Sequence, residues 1–274
     1  MSAHQKTYVV KIGGAAIDQS DVADQLMRQV LACRAAGARI VLVHGGGDRL
    51  TQTAAKLGVE APFVDGRRVT SEALIDVAKM VFAGGVGTDL AASAHRVGLS
   101  AISVSGVSGG LIRVKRRPPV NGVDYGLVGD VTGVNAAFVE SLLSTGLTPL
   151  IASLGIDQHG VVYNVNADTI ACRIACALKV AKLVILTGPD GVLRDLDHPE
   201  SRVESLKASD ILEHKLDFSI SGGMLPKLAS LAAATLNGVQ SVQLASWRHT
   251  DVLERCLIGQ CTSVGTRIDG PGTF

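Results

Sequence analysis

Three short apolar runs of this 274-residue chain end in glycine, and segments with a helical repeat lie between them. The runs are Tyr8–Ile12, Val41–Val43 and Lys182–Thr187, and the glycine breaks after them cover residues 13–14, 45–47 and 188–191. Such runs are typical of buried strands, and strands that alternate with helices form a mostly parallel sheet. Because ligands bind beyond the carboxyl ends of parallel strands, we expect the three breaks to meet at a binding site.

The whole pattern predicts an α/β fold of three layers, an αβα sandwich in which helices cover both faces of a mostly parallel central sheet. We expect the sheet to run through two lobes, residues 1–178 and residues 179–274. Residues 111–133 lack a long helical repeat and contain the turn sequence Pro118-Pro119-Val120-Asn121-Gly122, which predicts a hairpin.

One helix is expected to be interrupted. It opens near Ser71, runs to about Phe82 and resumes at Thr88, because Gly84, Gly85 and Gly87 lie between these two parts. Glycine is unfavourable inside helices, so a cluster of three predicts a break.

Composition excludes several classes of protein. Hydrophobic residues make up 47% of the chain and charged residues 19%, which is typical of a well-packed globular protein. A net charge of +1 gives no sign of a nucleic-acid or membrane partner. No apolar run reaches the roughly 20 residues of a membrane helix, and the polar N-terminus does not resemble a signal peptide, so we expect a cytoplasmic protein. Its five cysteines are interpreted as reduced thiols: Cys33, Cys172, Cys176, Cys256 and Cys261.

The glycine breaks match neither common nucleotide-binding fingerprint. The chain has no G-x-x-x-x-G-K-[ST] motif, and the G-x-G-x-x-G candidates at Gly45 and Gly85 lack the last glycine. Glycine nevertheless lets backbone N–H groups approach an anion, and the helices that follow add their positive ends. A single break is better explained by an ordinary tight turn, whereas three at consecutive strand ends, one of them two residues after a lysine, favour an anion site.

Two lysines and one carboxylate sharpen this hypothesis. Lys11 lies near the end of an apolar strand, where it must either reach solvent or meet an anion. Lys227 begins a helix after the glycine-containing loop Ser219–Pro226, and Asn166 and Asp168 lie at another helix start. Asn166 is predicted to cap that helix. Two cations, one carboxylate and glycine loops fit phosphoryl transfer, which depends on positioning and charge neutralisation.

These residues carry a resemblance to the acetylglutamate kinases of the amino acid kinase family, which phosphorylate the side-chain carboxylate of N-acetyl-L-glutamate with ATP in arginine biosynthesis. The resemblance spans nearly the whole chain, and its C-terminal part is similar to the short enterobacterial type. The matching segments, in order, are Lys11–Gly14, Val43–Gly47, Gly66–Thr70, Asn164–Asp168, Ser221–Lys227, Ala245–His249 and Gly265–Ile268.

The resemblance implies a role for each candidate residue. Lys11 and Lys227 stabilise the transferring phosphoryl group, and Asp168 holds both lysines. The acylated amino acid is bound by Gly46, Gly47, Arg68 and Asn164, with Arg68 on a carboxylate. ATP is bound by Gly13, Gly14, Gly188, Pro189, Asp190, Gly191, Val192, Leu193, Ser219, Ile220 and Ser221. The N-terminal lobe binds the acyl amino acid and forms the dimer, and the C-terminal lobe binds ATP.

The resemblance also implies the cofactor and the assembly. Mg²⁺ is expected to bind through the ATP phosphates, so no protein metal ligands are predicted. Arginine-inhibited members of the family carry an additional N-terminal helix that links dimers into hexamers. Only about ten residues precede Lys11 here, so the resemblance implies a homodimer that is insensitive to arginine. Two segments depart from the family pattern: Gly188-Pro189-Asp190, where proline removes a backbone donor, and Gly85-Val86-Gly87-Thr88, where an Asn-Lys pair is common.

Alternatives stay open at this point. A related kinase acting on N-acetylaminoadipate or another acylated acidic amino acid fits Arg68 and Asn164 equally well. A sensor of nucleotides or amino acids without catalysis is disfavoured by the joint presence of Lys11, Asp168 and Lys227. An oxidoreductase that uses a nicotinamide cofactor is disfavoured by the missing dinucleotide fingerprint.

Overall fold

In a computed structural model, the structure describes residues 5–64, 66–195, 197–218, 224–259 and 264–270. The strands are β1 (Thr7–Ile12), β2 (Arg39–His44), β3 (Phe63–Val64), β4 (Arg67–Arg68), β5 (Ala101–Ser105), β6 (Ile112–Arg116), β7 (Gly129–Val134), β8 (Thr148–Ala152), β9 (Leu154–Ile156), β10 (Val162–Asn164), β11 (Lys182–Thr187), β12 (Val192–Leu193), β13 (Arg202–Val203), β14 (Ser205–Lys207), β15 (Ser241–Ser246) and β16 (Thr266–Asp269).

Helices connect most of these strands. They are α1 (Gly14–Ile17), α2 (Ser20–Ala35), α3 (Gly47–Lys56), α4 (Glu72–Ala78), a π-helix (Lys79–Val86), α5 (Gly87–Arg96), α6 (Ala136–Ser144), α7 (Ala167–Leu178), α8 (Ala208–Leu212), α9 (Met224–Leu236) and α10 (Val252–Leu257). Two single 3₁₀ turns cover Ser108–Gly110 and Pro199–Ser201. None of the helices in the described ranges is long and apolar enough to cross a membrane.

The central sheet has eight strands in the order β14-β16-β15-β11-β1-β2-β8-β5. Neighbouring strands are parallel from β15 to β5 and between β14 and β16, whereas β15 and β16 pair antiparallel. The predicted parallel sheet is therefore confirmed. Strands from residues 1–178 form one half of it and strands from residues 179–274 the other, with β1 and β11 in contact. The division into two functional lobes stays a prediction.

Helices cover both faces of the sheet, which confirms the three-layer fold. Along β1, Val10 and Ile12 belong to the hydrophobic core that includes residues of α2, α4, α5 and α10. Val9 belongs to the second core, with residues of α6, α7 and α9. Because successive side chains of a strand alternate between faces, Lys11 lies on the same face as Val9, the face covered by α7.

The predicted hairpin is also present. Strands β6 and β7 pair antiparallel, with a register shift between Arg113 and Val114. They join β9 and β10 in a four-stranded sheet of the order β10-β9-β6-β7. This small sheet places Asn164, the last residue of β10, near the carboxyl end of the central sheet.

The predicted helix interruption is wrong. The backbone continues from α4 through the π-helix into α5, and Val86 and Gly87 have helical angles. A Cβ at Gly87 would clash with Ser103 Oγ, so glycine at 87 allows the helix to approach β5 closely. Tertiary packing therefore outweighs the low helix propensity of the glycines.

Candidate active site

The three glycine breaks meet at one edge of the sheet, as predicted. Strands β11, β1 and β2 are consecutive neighbours and parallel, so the segments after them lie side by side. A Cβ at Gly13 would come within 3.2 Å of Leu186 O. Gly46 has φ of 155°, and a Cβ there would lie 3.0 Å from Val86 and 3.1 Å from Phe82. Only glycine fits these approaches without displacing a neighbour.

Asp168 lies between the two candidate lysines. Lys11 Nζ is 2.9 Å from Asp168 Oδ1, and Lys227 Nζ is 3.2 Å from Asp168 Oδ2. The three side chains are 14%, 25% and 15% exposed for Lys11, Lys227 and Asp168. One carboxylate therefore holds two cations from β1 and α9 at a largely buried position. This cluster, Lys11–Asp168–Lys227, is called the lysine clamp below.

Local structure explains the position of Asp168. Asn166 caps α7, and its side chain accepts hydrogen bonds from the backbone N–H groups of Asp168 and Thr169 at 2.8 and 3.3 Å. The prediction of this cap is confirmed. Asp168 thus stands in the first turn, where the helix dipole favours a carboxylate. Burial would raise the pKa of Asp168, but the charges of Lys11 and Lys227 outweigh burial and lower it.

A cavity of about 280 Å³ opens beside the clamp. Its walls combine backbone from the turn after β2, side chains of β4 and the segment from β10 to α7. Seven of the predicted site residues line it: Lys11, Gly14, Gly46, Gly47, Arg68, Asn164 and Asp168. The cavity therefore joins the phosphoryl side of the predicted site to the acceptor side.

Arg68 is held in place on the acceptor side. Its Nη2 donates to Gly47 O at 3.0 Å and to Thr51 Oγ1 at 2.9 Å, and its guanidinium lies 4.3 Å from the centre of the Phe63 ring. Burial lowers the pKa of Arg68, although nearby Asp48 opposes this shift. Among the ion pairs of the described ranges none involves Arg68, so its charge is available for an anionic ligand.

Asn164 provides a neutral polar group in the same wall. Its Nδ2 donates to Thr70 Oγ1 at 3.1 Å, which orients the amide. Thr70 is fully buried, and its backbone bonds to Tyr125 and Leu127. Asn164, the second polar group of this wall after Arg68, is thus held by a buried and hydrogen-bonded neighbour.

The segment Gly188–Leu193, predicted to bind ATP, follows β11. It is tied to the protein by several bonds: Gly188 O accepts from Ser246 Oγ at 2.8 Å, and Val192 N donates to Thr266 Oγ1 at 2.8 Å. The Asp190 carboxylate is 3.1 Å from His249 Nε2 and 3.7 Å from Arg202 Nε. Its side chain therefore contacts the protein, and the binding of ATP by this segment stays a prediction.

Other predicted residues have different outcomes. Ser219, Ile220 and Ser221 lie outside the described residues. Gly13 lies in the turn between β1 and α1. In the described part of the chain, no group of three or more His, Cys, Asp or Glu side chains is placed to hold a metal ion.

Sequence reasoning missed several residues of the cavity wall, among them Phe63, Phe82 and Ser153. Phe63 belongs to a two-residue strand that is too short to give a period-2 pattern. The predicted helix interruption puts Phe82 at the end of a helix and separates it from Val86. The spacing of Phe82 and Val86, four residues apart, was the available signal that they share one helix face.

Comparisons with known proteins agree with this geometry. The model of the amino acid kinase family matches residues 6–246. The acetylglutamate kinase of Clostridium acetobutylicum is 37% identical over 256 residues, which cover 92% of this chain and 85% of that protein. The acetylglutamate kinase of Myxococcus xanthus is 39% identical over 252 residues, with coverages of 88% and 82%.

Solved structures share the fold. The structure of smu.665 from Streptococcus mutans has a TM-score of 0.76 at 28% identity and covers 96% of this chain and 98% of its own. Carbamate kinase from Giardia lamblia bound to AMP-PNP has a TM-score of 0.72 at 19% identity, with coverages of 97% and 99%. The N-acetylglutamate synthase of Neisseria gonorrhoeae has a TM-score of 0.83 at 24% identity, but this chain spans only 59% of it. By its family model and its acetylglutamate kinase relatives, the chain belongs to the amino acid kinase family.

Proposed function

We propose that this chain is an ATP-dependent kinase that phosphorylates the side-chain carboxylate of N-acetyl-L-glutamate, a step of arginine biosynthesis. The observation that carries the proposal is the lysine clamp at the edge of a cavity whose other wall presents Arg68 and Asn164. The acetylglutamate kinases similar to it over most of the chain have this substrate in their name.

The chemistry fits the residues present. An acceptor carboxylate oxygen attacks the γ-phosphorus of ATP, the bond to the β-phosphate oxygen breaks, and ADP leaves with that electron pair. A carboxylate is ionised at neutral pH, so no general base is needed. Charge on the transferring phosphoryl group must be neutralised, and Lys11 and Lys227 supply two cations from opposite sides of Asp168.

The acceptor is proposed to span the cavity. Its α-carboxylate pairs with Arg68, and its reacting carboxylate reaches the clamp. Gly46 and Gly47 offer backbone N–H groups at the start of α3, where the helix dipole favours an anion. Asn164 supplies the remaining hydrogen bonds. These roles follow from the charges of the cavity wall and from the resemblance to the kinases.

ATP is proposed to lie over the C-terminal half of the sheet. Gly13 and Gly14 face its phosphates, and the backbone of Gly188–Leu193, together with residues 219–221, lines its other parts. The clamp residue from this half is Lys227, so lobe closure would bring it toward the phosphates. Mg²⁺ is proposed to bind through the ATP phosphates, and bound there it supplies further positive charge.

We propose a cytoplasmic homodimer. Among the strands of the described residues, β5 ends the central sheet with β8 as its single neighbour, and an open edge strand favours pairing with another chain. Met80, on the helix beside β5, is 56% exposed. Light scattering at several concentrations tests this proposal, and a monomeric mass throughout would contradict it.

Trapping of the acyl phosphate with hydroxylamine tests the function. Purified protein is incubated with MgATP and, in separate reactions, N-acetyl-L-glutamate, N-acetyl-L-aminoadipate and free L-glutamate. We expect the hydroxamate with N-acetyl-L-glutamate and little with free glutamate. A preference for N-acetyl-L-aminoadipate would favour a related kinase that acts on that compound. No turnover of any of the three compounds would favour a sensor of nucleotides or amino acids without catalysis. Lys11→Ala serves as the inactive control and exposed Lys215→Ala as the matched surface control.

A further inference from the structure

The π-helix of Lys79–Val86 forms part of the cavity wall. A π-helix has more residues per turn than an α-helix, and such segments often occur at functional sites. Here Phe82 and Val86 point inward and are 4% and 0% exposed, while Gly84 and Gly85 are on the exposed side. The π-helix therefore presents an apolar surface to the inside of the protein.

Phe82 contacts the glycine at the start of α3. A Cβ built on Gly46 would lie 3.1 Å and 3.4 Å from two ring carbons of Phe82 and 3.0 Å from Val86 Cγ2. Phe82 also lines the cavity, as Arg68 and Asn164 do. An acceptor bound over Gly46 and Gly47 consequently lies next to this ring, which adds a buried aromatic group to a wall that also carries charged and polar groups.

We infer that Phe82 determines the size of the apolar part of the acceptor, an inference that rests on the proposed function. Arg68 and the lysine clamp bind the two charged ends of the acceptor, and both ends are the same carboxylates in its longer homologues. The Phe82 ring packs on the backbone at Gly46, so it cannot move away from a larger acceptor. Phe82 thus selects a short acylated acidic amino acid, with a two-carbon acyl group and two side-chain methylenes, over its homologues longer by one methylene.

Measured selectivity tests this inference. kcat/KM is determined for N-acetyl-L-glutamate, N-acetyl-L-aminoadipate and N-propionyl-L-glutamate, the last two being longer by one methylene. One methylene in an apolar pocket changes kcat/KM by about 10- to 200-fold. We expect Phe82→Leu and Phe82→Ala to lower the preference for N-acetyl-L-glutamate over at least one homologue by about 10-fold or more, with the KM for ATP unchanged.

Val81→Ala is the matched control, because Val81 is a buried neighbour that does not line the cavity. Its preference should stay at the wild-type value. If Phe82→Leu is folded and active and its preference for N-acetyl-L-glutamate over each homologue is unchanged, the role of Phe82 is overturned. The proposed function is then unaffected. If the wild-type protein phosphorylates none of the three compounds, the proposed function fails. Dissociation constants measured by calorimetry for the same three compounds then replace kcat/KM as the measure of selectivity. Equal ratios of these dissociation constants in the wild-type protein and in Phe82→Leu would then overturn the inference as well.

Discussion

Replacement of Asp168 by asparagine would test the lysine clamp in a defined way. The wild-type carboxylate lies 2.9 Å from Lys11 Nζ and 3.2 Å from Lys227 Nζ. Asp168→Asn keeps the size of the side chain and removes its charge. Two ammonium groups that shared one carboxylate then face each other across a neutral amide, at a position that is only 15% exposed.

The expected cost has two parts. Two like charges 4 Å apart repel by about 4 kcal/mol at an effective dielectric constant near 20, and larger separations reduce this value in proportion. Breaking a buried ion pair by removing one partner costs about 3–5 kcal/mol. We therefore expect Asp168→Asn to lower the free energy of unfolding by about 3 kcal/mol without ATP, because the lysines can partly turn toward solvent.

Activity should fall more than affinity. The lysines keep their charge but lose their orientation, and a misplaced electrostatic donor lowers kcat by about 10²- to 10³-fold. The KM for ATP should not rise, since two uncompensated cations attract a polyphosphate. Steady-state kinetics and urea unfolding measure both quantities. Asp76→Asn, which breaks the exposed pair with Lys79, is the control and should change neither.

The pH dependence gives a second measurement of the same variant. The pKa of Asp168 is lowered in the folded protein, so its contribution to stability is present above the unfolded value of about 3.9 and is lost as pH falls through the folded value. The difference in stability between wild type and Asp168→Asn should therefore shrink below about pH 4. A constant difference, or unchanged kcat in the variant, would refute this account of the clamp.

Further predictions concern single residues of the site and core. Lys227→Ala should lower kcat by about 10²- to 10³-fold in steady-state assays with little change in the acceptor KM; unchanged kcat would remove Lys227 from the transition state. Arg68→Ala should raise the acceptor KM by about 10- to 100-fold through a lost charged hydrogen bond, and an effect on the KM for ATP alone would refute its assignment. Burial lowers the pKa of His44 to about 4, so the unfolded state takes up a proton first as pH falls below 6.5. Wild type should lose about 3 kcal/mol of stability between pH 6.5 and pH 4 through His44; urea unfolding of His44→Leu should show a flatter pH profile, and an equal slope would contradict this prediction.

Much of the site could be predicted because its parts belong to regular elements. The run Lys182–Thr187 has the bounds of β11, the run Val41–Val43 lies within β2, and the predicted cap Asn166 begins α7, since apolar patterns and caps are local signals. Parallel pairing then brings the ends of β11, β1 and β2 to one edge. Alternation along β1 directs Lys11 toward α7, and the Asn166 cap places Asp168 in its first turn.

Other features depend on contacts between distant segments. Three glycines indicated a helix break, but the contacts of Gly87 with Ser103 and of Phe82 with Gly46 keep the helix continuous. The pairing of Asp190 with Arg202 and His249 joins three separate segments, and none of them carries a local signal for it. Strands of two residues, such as β3 and β12, are also too short for any pattern to reveal.

A structure with a transition-state analogue would test the central claim most directly. The complex contains ADP, Mg²⁺, aluminium fluoride and N-acetyl-L-glutamate, so that the fluoride stands in for the transferring phosphoryl group. We predict that Lys11 Nζ and Lys227 Nζ both lie within about 3.2 Å of that group, on opposite sides of Asp168. Either lysine bonded to Asp168 alone, out of reach of the analogue, would contradict the proposed clamp.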